Sequence, residues 1–285
     1  MAVGVERRVR ILTDSAADVP QGYVTRFQLG VVPIHVSLNG ETCLDDATFD
    51  RDWFYRELSH MRVPTTAAPA PQEFARAYAQ LVAEGAEEII AIVTASTLSS
   101  LHDHALIAAQ GFREARVHVV DGTQVSMGLG WLVVRAAELL ADGMSVPQII
   151  HQVISLRART RILGVIDSID YLRRSGRVDW ISSGVADLLR IKPLIVLERG
   201  EVRQLGRVRT QWRGLQSVVL QTKSALPLER LAILHSGASA ASVGQLEDQF
   251  SALLPKLEIP VVNVGPAFAT HVGPGCVGVA FVMSD

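Results

Sequence analysis

The sequence has little cysteine, lysine or aromatic content, and it lacks any long apolar run. Of its 285 residues, two are cysteines and 6% are aromatic. Cys43 and Cys276 lie far apart and form no Cys-x-x-Cys pair, which argues against a disulfide scaffold or a redox motif. No run approaches the ~18–20 apolar residues of a membrane span, and residues 1–20 lack the apolar core of a signal peptide. We therefore expect a cytoplasmic protein with no integral membrane segment.

Charge is nearly balanced overall but is segregated along the chain. The net charge is −2, with 48% hydrophobic and 20% charged residues, so the chain can bury a sizeable core. Residues 157–213 contain 13 basic and 6 acidic side chains, a local charge of +7 that leaves −9 for the remainder. This segregation favours an acidic or phosphorylated partner, or else a solvated arginine-rich face. It does not favour a protein that binds nucleic acid over its whole surface.

Motifs for cofactors and metals are weak or missing. Gly273, Gly275 and Gly278 form Gly-x-Gly-x-x-Gly, but the residues that follow resemble a strand, whereas a dinucleotide site needs a helix there. No P-loop sequence is present. His102 and His104 are two positions apart and would point apart on a helix. We expect no cofactor, and a metal site only if distant residues assemble one.

Apolar and amphipathic segments alternate through the first half of the chain. Such alternation predicts βαβ units and a mostly parallel sheet. Three prolines predict that residues 64–71 form a loop. The predicted strands are 8–13, 31–38, 88–94 and 117–120, and the predicted helices are 50–61, 72–83, a segment ending at 111, and 123–142.

The second half lacks this regular alternation, which predicts an α+β domain. Residues 191–197 and 201–208 flank Arg199-Gly200 and predict a β-hairpin. Further strands are predicted at 162–166, 231–234, 261–264 and 277–282, and helices at 167–174, 211–222 and 241–254. We therefore divide the chain into an α/β domain, 1–157, and an α+β domain, 158–285.

Short polar side chains follow the predicted parallel strands. Asp14 and Ser15 follow the first strand, and further hydroxyl and carboxyl groups occupy 94–99 and 121–123. Ligands of open α/β sheets bind outside the carboxyl ends of the strands, so these loops are a candidate site. The same residues could simply cap helices, and the two roles are compatible because a helix N-terminus attracts anions.

Two further polar segments stand beside glycine or proline. Thr65 and Thr66 lie in the loop 64–71, and His271 precedes Gly273-Pro274-Gly275 in a predicted loop. The pattern fits a loop whose backbone comes close to a ligand, and it fits an ordinary surface turn equally. Ser99, His271 and Asp14 also supply the residue types of a hydrolytic triad. The sequence around Ser99 lacks the Gly-x-Ser-x-Gly elbow, however, so a hydrolase of lipid-like esters remains the alternative.

Several short segments, taken in order, resemble the DegV family of bacterial fatty-acid-binding proteins. Each segment is weak alone, but their order and spacing along nearly the whole chain are specific. They are Ile11–Ser15, Val32-Pro33-Ile34 with Asp45 or Asp46 after it, Pro64–Ala70, the serine loop ending at Ser99, Ser175–Val178, Ile191–Leu194, Gly206–Thr210 and His271–Gly275.

The resemblance implies an α/β domain and an α+β domain with the ligand between them. It implies that one long-chain fatty acid is bound with its tail buried, and that a separate kinase subunit phosphorylates it with ATP to an acyl phosphate for phospholipid synthesis. The binding subunit is then not an enzyme and needs no cofactor. Thr66, Ser99 and His271 match the carboxylate-binding positions. Nearby support is expected from Asp14, Ser15, Thr65, Ser100, Gly273 and Gly275.

The arginine-rich segment gains a role from the same resemblance. Arg177, Arg207 and Arg209 lie in the matching motifs, and guanidinium groups bind phosphate in a fork. We expect them to contact the kinase subunit or the transferred phosphate. We expect a monomer that binds no nucleic acid, since no helix-turn-helix pattern is evident.

The chain departs from the family pattern in two places. Members commonly have Thr-Ser-Gln-Pro where this sequence has Thr66-Ala67-Ala68-Pro69, and Ser-Gly-Thr where it has Ser99-Ser100-Leu101. The changes remove hydroxyl groups and a glycine from the expected carboxylate site. A different acid or another amphiphile is therefore an open alternative for the ligand.

Overall fold

The computed structural model describes residues 8–178 and 191–285. The described part of the first half contains seven strands and six helices, with a 3₁₀ turn at Ser15–Ala17. In chain order they are β1 (Val9–Asp14), α1 (Gln21–Phe27), β2 (Gly30–Val32), β3 (Ile34–Leu38), β4 (Glu41–Asp45), α2 (Arg51–Glu57), β5 (Thr65–Ala67), α3 (Pro71–Ala83), β6 (Glu88–Val93), α4 (Leu101–Gly111), β7 (Arg116–Asp121), α5 (Ser126–Ala141) and α6 (Val146–Arg159).

The described part of the second half contains six strands and four helices. In chain order they are β8 (Thr160–Val165), α7 (Ile169–Ser175), β9 (Lys192–Glu198), β10 (Glu201–Val208), α8 (Gln211–Lys223), β11 (Leu228–His235), α9 (Ala240–Leu253), β12 (Val261–Asn263), α10 (Pro266–Val272) and β13 (Val277–Met283). Among the helices of these described ranges, none is long and apolar enough to cross a membrane.

The predicted parallel sheet is confirmed. Its strand order is β2-β1-β6-β7, and all three pairings are parallel. All six residues of β6 are buried, as expected for a strand that is covered on both faces of a parallel sheet. The carboxyl ends of β1, β6 and β7 therefore lie along one edge, next to the polar loops identified from the sequence.

The prediction of one strand over 31–38 was wrong. Pro33 has no N–H to donate to a ladder, and it separates two strands that join different sheets. Val32 ends β2 beside β1, whereas β3 belongs to a three-stranded sheet of order β4-β3-β5. The predicted loop 64–71 also contains a strand, because Thr65–Ala67 pairs along β3 with Thr66 opposite Val36. This pairing fixes the backbone of Thr66.

The second half forms a six-stranded mixed sheet of order β10-β9-β8-β13-β11-β12. The predicted hairpin is confirmed, and its turn residues Arg199 and Gly200 have φ of 52° and 83°. Two positive φ angles are the signature of a type I′ turn. The chain passes from the last helix of the first half to this sheet between Arg159 and Thr160, close to the domain division that we propose at 157/158.

Three helices were not predicted, namely α1, α6 and α10. The helix α6 begins at a capping box formed by Ser145 and Gln148. The helix α10 replaces the loop predicted around His271, which was wrong. This short helix begins after Gly265 and ends at Gly273, where φ is 75°. His271 therefore lies in the last turn of a helix, and its side-chain position is fixed by that turn.

The two halves share one apolar core. The largest buried cluster includes α5 residues such as Trp131 together with Ile162, Leu197 and Ala280 of the second sheet. Trp131 also donates its indole N–H to the carbonyl oxygen of Ala280 at 3.2 Å. Continuous packing of this kind holds the two halves in a fixed arrangement around the space between them.

Candidate functional site

A cavity of about 370 Å³ lies between the two halves, and we call it the junction cavity. Its volume falls in the range of roughly 300–1,000 Å³ that is usual for small-molecule sites. Most of its wall is apolar, and its polar side chains are threonines, serines, one arginine and one histidine. The lining residues are Ala16, Ile34, Thr66–Ala68, Thr94, Leu98–Leu101, Val125, Ile162, Leu172, Ser175, Arg177, Val178, Ile195, Leu197, Val202, Ala267, Phe268, His271 and Val272.

The structure brings the three predicted carboxylate-binding residues into this one cavity. Thr66 comes from β5, Ser99 from the loop before α4, and His271 from α10. Thr66 Oγ1 lies 3.0 Å from His271 Nε2. Residues from strand, loop and helix, separated by up to 205 positions, therefore line one mostly apolar cavity.

Arg177 sets the tautomer of His271. Its Nη1 donates to His271 Nδ1 at 3.2 Å. A guanidinium can only donate, so Nδ1 must accept and Nε2 must carry the ring hydrogen. His271 then donates to Thr66 Oγ1, and the Thr66 hydroxyl hydrogen is left to point at a ligand.

His271 is held in its neutral form. Burial, and to a smaller extent the adjacent charge of Arg177, lower the pKa of the imidazole to about 3. The ring therefore carries no charge in the physiological range. An anionic ligand here meets neutral hydrogen-bond donors together with one fixed guanidinium.

Arg177 is itself fastened by two backbone carbonyls. Its Nε donates to Leu98 O at 2.9 Å and its Nη1 to Ser175 O at 3.1 Å. Leu98 immediately precedes Ser99, so the arginine ties the serine loop to α10. We predicted that Arg177 contacts the kinase subunit or the transferred phosphate. The structure also places it in the lining of the junction cavity, a position that sequence spacing alone does not indicate.

Of the predicted supporting residues, one lines the junction cavity and the others lie outside its lining. Ser100 lines the junction cavity, whereas Thr65 is exposed on β5. Gly273 and Gly275 have φ of 75° and 77°. A Cβ at Gly273 would lie 2.6 Å from the Tyr171 ring, so glycine permits the close packing that ends α10 below His271.

Asp14 and Ser15 do not line the junction cavity, but each accepts hydrogen bonds from a residue that does. Asp14 accepts hydrogen bonds from the Thr94 N–H at 2.7 Å and the Thr94 hydroxyl at 2.9 Å. Ser15 Oγ accepts from the Ile34 N–H at 3.1 Å. Thr94 and Ile34 both line the junction cavity. Burial raises the pKa of Asp14 to about 6.

The described residues show no hydrogen-bonded Ser-His-Asp chain of the kind that a hydrolase needs. The hydrogen bonds of Asp14 go to Ala16 and Thr94, and those of His271 involve Thr66 and Arg177. A triad needs the carboxylate on one imidazole nitrogen and the serine on the other. Here a guanidinium occupies the place of the carboxylate.

Arg207 and Arg209 lie away from the cavity. Both are exposed, and Arg207 donates to Gln204 Oε1 at 3.4 Å. They are free to meet a partner from solvent. In the two described ranges, no three His, Cys, Asp or Glu side chains are grouped as metal ligands.

Sequence reasoning missed two buried carboxylates that hold α10. Asp18 Oδ1 accepts from the Gly265 N–H at 2.6 Å, and Asp45 Oδ2 accepts from the Ala267 N–H at 3.3 Å. Burial is the largest cause of a raised pKa in both, and the pKa of Asp45 reaches about 7. Asp45 is among the residues that resemble the DegV family, but its role depends on its contact with Ala267, which is 222 positions away in the chain.

Comparison with known proteins agrees with this architecture. The sequence profile described as "Uncharacterised protein, DegV family" matches residues 8–284. A DegV domain-containing protein of Deinococcus radiodurans is 34% identical over 281 residues, which cover 95% of this chain and 97% of that protein. The match extends to the buried and cavity-forming segments of both halves.

Solved structures share the same fold. A DegV family protein from Thermus thermophilus, described for its fatty acid binding, is 29% identical with a TM-score of 0.87, over 97% of this chain and all of that one. The Fatty Acid Kinase B3 protein of Streptococcus pneumoniae, loaded with linoleic acid, has a TM-score of 0.83 at 20% identity, over 97% and 100% of the chains, a likeness of fold. The chain belongs to the DegV family.

Proposed function

We propose that this protein binds one long-chain fatty acid, with its tail in the junction cavity and its carboxylate at Thr66, Ser99 and His271. The observation that carries the proposal is a mostly apolar cavity whose lining includes Thr66, Ser99, Arg177 and His271. A buried carboxylate must be hydrogen-bonded, because its desolvation is otherwise prohibitive. The free hydroxyl hydrogen of Thr66 and the fixed guanidinium of Arg177 supply such donors.

The apolar walls account for affinity. At ~0.8 kcal/mol for each buried methylene, a tail of about fourteen methylenes contributes roughly 11 kcal/mol before the costs of association are subtracted. The polar side chains of the cavity then select for a carboxylate and fix its position. The fatty-acid binding described for the Thermus thermophilus relative supports this assignment.

We further propose that the bound acid is presented to a separate kinase subunit, which forms an acyl phosphate for phospholipid synthesis. Exposed Arg207 and Arg209 provide a basic surface for an acidic partner or for the transferred phosphate. Arg177, which touches the site, would link that surface to the carboxylate. We propose that the protein acts as a cytoplasmic monomer without cofactor or nucleic acid.

The first test is mass spectrometry of the purified protein, native and then after organic extraction. We expect a stoichiometric acid of about 14–18 carbons that is released on denaturation, because the tail supplies most of the binding energy. Protein that is empty, and that stays empty after incubation with a fatty-acid mixture, would contradict the assignment. Other amphiphiles would then be screened, given the altered Thr66 and Ser99 segments.

The kinase role predicts a separation between binding and phosphorylation. The double variant Arg207→Ala, Arg209→Ala should slow acyl phosphate formation at least about tenfold, since each charge-assisted contact contributes roughly 1.5–3 kcal/mol. Its affinity for the acid should not change, because both side chains lie outside the cavity. The assay uses the loaded protein, ATP and a bacterial fatty acid kinase catalytic subunit.

Arg113→Ala is the matched control, because Arg113 is also exposed but lies in the other half, after α4. It should leave phosphorylation unchanged. Equal rates for the double variant and the control would contradict the basic surface as the contact. No phosphorylation of the loaded wild-type protein would contradict the kinase role itself.

A further inference from the structure

The outer side of α8 carries the two most exposed large apolar side chains of the described residues. Trp212 is 61% exposed and Leu220 is 63% exposed. Their spacing corresponds to about two turns, so both project from the same side of the helix. The core accounts for the other side of α8, which is packed on the second sheet, but it does not account for this outer pair. The buried residues of α8 are Gly214, Leu215, Val218, Val219 and Thr222.

The same side of α8 is basic. The sequence from 202 to 228 contains five basic side chains and no acidic one. Two of the five, Arg213 and Lys223, are exposed and lie on the side of α8 that carries Trp212 and Leu220. We call these four residues the α8 face. It combines apolar side chains with positive charge, a composition that favours contact with an acidic surface.

The α8 face begins close to the candidate carboxylate site. Gln211, the first residue of α8, donates from Nε2 to the carbonyl oxygen of Gly275 at 3.1 Å. Gly275 belongs to the segment that follows α10, the helix that ends just after His271. Arg209, part of the proposed basic surface, lies just before Gln211 in the chain. A protein that approaches the carboxylate over Arg209 would therefore meet the α8 face.

We propose that the α8 face is the docking surface for a protein partner with an acidic surface, and that Trp212 and Leu220 are its apolar anchors. This inference rests on the proposed function, on which the partner is the kinase catalytic subunit. Tryptophan is enriched among the few residues that carry most of the binding energy of a protein interface. The basic side chains steer the acidic surface into place, and the two anchors slow its dissociation.

A bilayer is the alternative occupant, because basic and aromatic side chains also bind anionic lipid. A helix that lies in a membrane interface inserts a continuous apolar face into the lipid. The apolar face of α8 is instead packed on the second sheet, and its outer side offers two separate apolar anchors among polar residues. Separate anchors suit the recesses of a protein surface, so the observations favour a protein partner.

The test is steady-state phosphorylation of the double variant Trp212→Ala, Leu220→Ala, loaded with palmitic acid, by a bacterial fatty acid kinase catalytic subunit. The KM for the loaded protein should rise at least about tenfold, because truncation of anchor residues weakens interfaces by this factor or more. The kcat should not change, since a docking contact is equally strong before and during the reaction. Affinity for palmitic acid should match wild type, because neither side chain lines the junction cavity.

Ile107→Ala is the matched control. Ile107 is 55% exposed and lies on α4 in the first half, so the variant removes an apolar side chain from another helix surface. Its KM should equal that of wild type. The double variant Arg213→Gln, Lys223→Gln should weaken the dependence of KM on salt concentration. Trp212→Ala, Leu220→Ala should leave that dependence unchanged, because it removes no charge.

A KM for Trp212→Ala, Leu220→Ala no higher than that of Ile107→Ala would overturn the inference. The two single variants provide the same comparison if the double variant does not fold. Sedimentation with phosphatidylglycerol vesicles identifies the other occupant: weaker sedimentation of the double variant at an unchanged KM would assign the α8 face to a bilayer. If the catalytic subunit does not phosphorylate the loaded wild-type protein, the proposed function itself is contradicted.

Discussion

Asp45→Asn should stabilise the protein, and the gain in unfolding free energy should grow by roughly 3 kcal/mol between pH 5 and pH 8. The pKa of Asp45 rises from 3.8 to about 7 in the folded state, with burial as the largest cause. The unfolded chain therefore releases this proton at lower pH than the folded chain. Stability is lost as the pH rises from about 4 to 7, and asparagine removes that loss.

The surroundings of Asp45 explain the direction. After burial, the charge of Asp18 is the next largest cause of the raised pKa of Asp45, and Arg51 opposes it only in part. Both carboxylates crowd the start of α10, where a Cβ at Gly265 would lie 2.9 Å from Asp45 Oδ2 and 3.0 Å from Asp18 Oδ1. The asparagine carbonyl can still accept from Ala267.

The measurement is denaturant unfolding at pH 5, 6, 7 and 8. Comparison with wild type at each pH is essential because His271, whose pKa is lowered to about 3, has the opposite effect and destabilises the folded state below pH 6.5. Asp52→Asn removes the same charge from an exposed position on α2 and is the control. A gain in Asp45→Asn no larger at pH 8 than at pH 5 would contradict the prediction.

His271→Ala should weaken fatty-acid binding by about ten- to a hundredfold without unfolding the protein. The imidazole is the group that Thr66 and Arg177 share, so its removal leaves the Thr66 hydroxyl unoriented and frees the guanidinium. Loss of one donor arrangement at a buried carboxylate corresponds to roughly 1–3 kcal/mol. Equilibrium binding of palmitic acid, with a thermal melt for folding, measures the effect.

Two further measurements separate this role from a general loss of structure. His35→Ala removes a half-buried histidine that pairs with Glu73 on the far side of β3, and it should bind palmitic acid like wild type. In NMR spectra of the wild type, the His271 ring should not titrate between pH 5 and pH 9. Unchanged affinity in His271→Ala would place the carboxylate elsewhere. Titration of the His271 ring near pH 6.5 would contradict its buried, neutral state.

The fold was predictable where local chemistry decides it. The strand at 88–93 is a continuous apolar run, and the hairpin turn at Arg199-Gly200 needs two positive φ angles that glycine supplies at one position. The strand over 31–38 failed at Pro33, because the two sides of that proline pair with partners in different sheets. No local sequence pattern indicates which sheet the residues before and after Pro33 will join.

The site was predictable in its residues but not in its connections. Resemblance pointed to Thr66, Ser99 and His271, and the structure places all three in the junction cavity, although their contact with a carboxylate stays a prediction. The bond from Arg177 to His271 joins residues 94 positions apart, and the contacts of Asp18 and Asp45 with α10 span more than 200. Such contacts depend on the packing of the two halves.

On the proposed function, α10 supplies both an apolar and a polar residue, Phe268 and His271, to the lining of the junction cavity. Phe268 and His271 stand one turn apart on a helix of seven residues, whose first turn is fixed by Asp18 and Asp45. A tail too long for the cavity presses on the same rigid element that places the carboxylate. An ill-fitting acid would thus be misaligned for phosphoryl transfer even after it has bound. Acids would then be selected by chain length at the phosphorylation step as well as at binding.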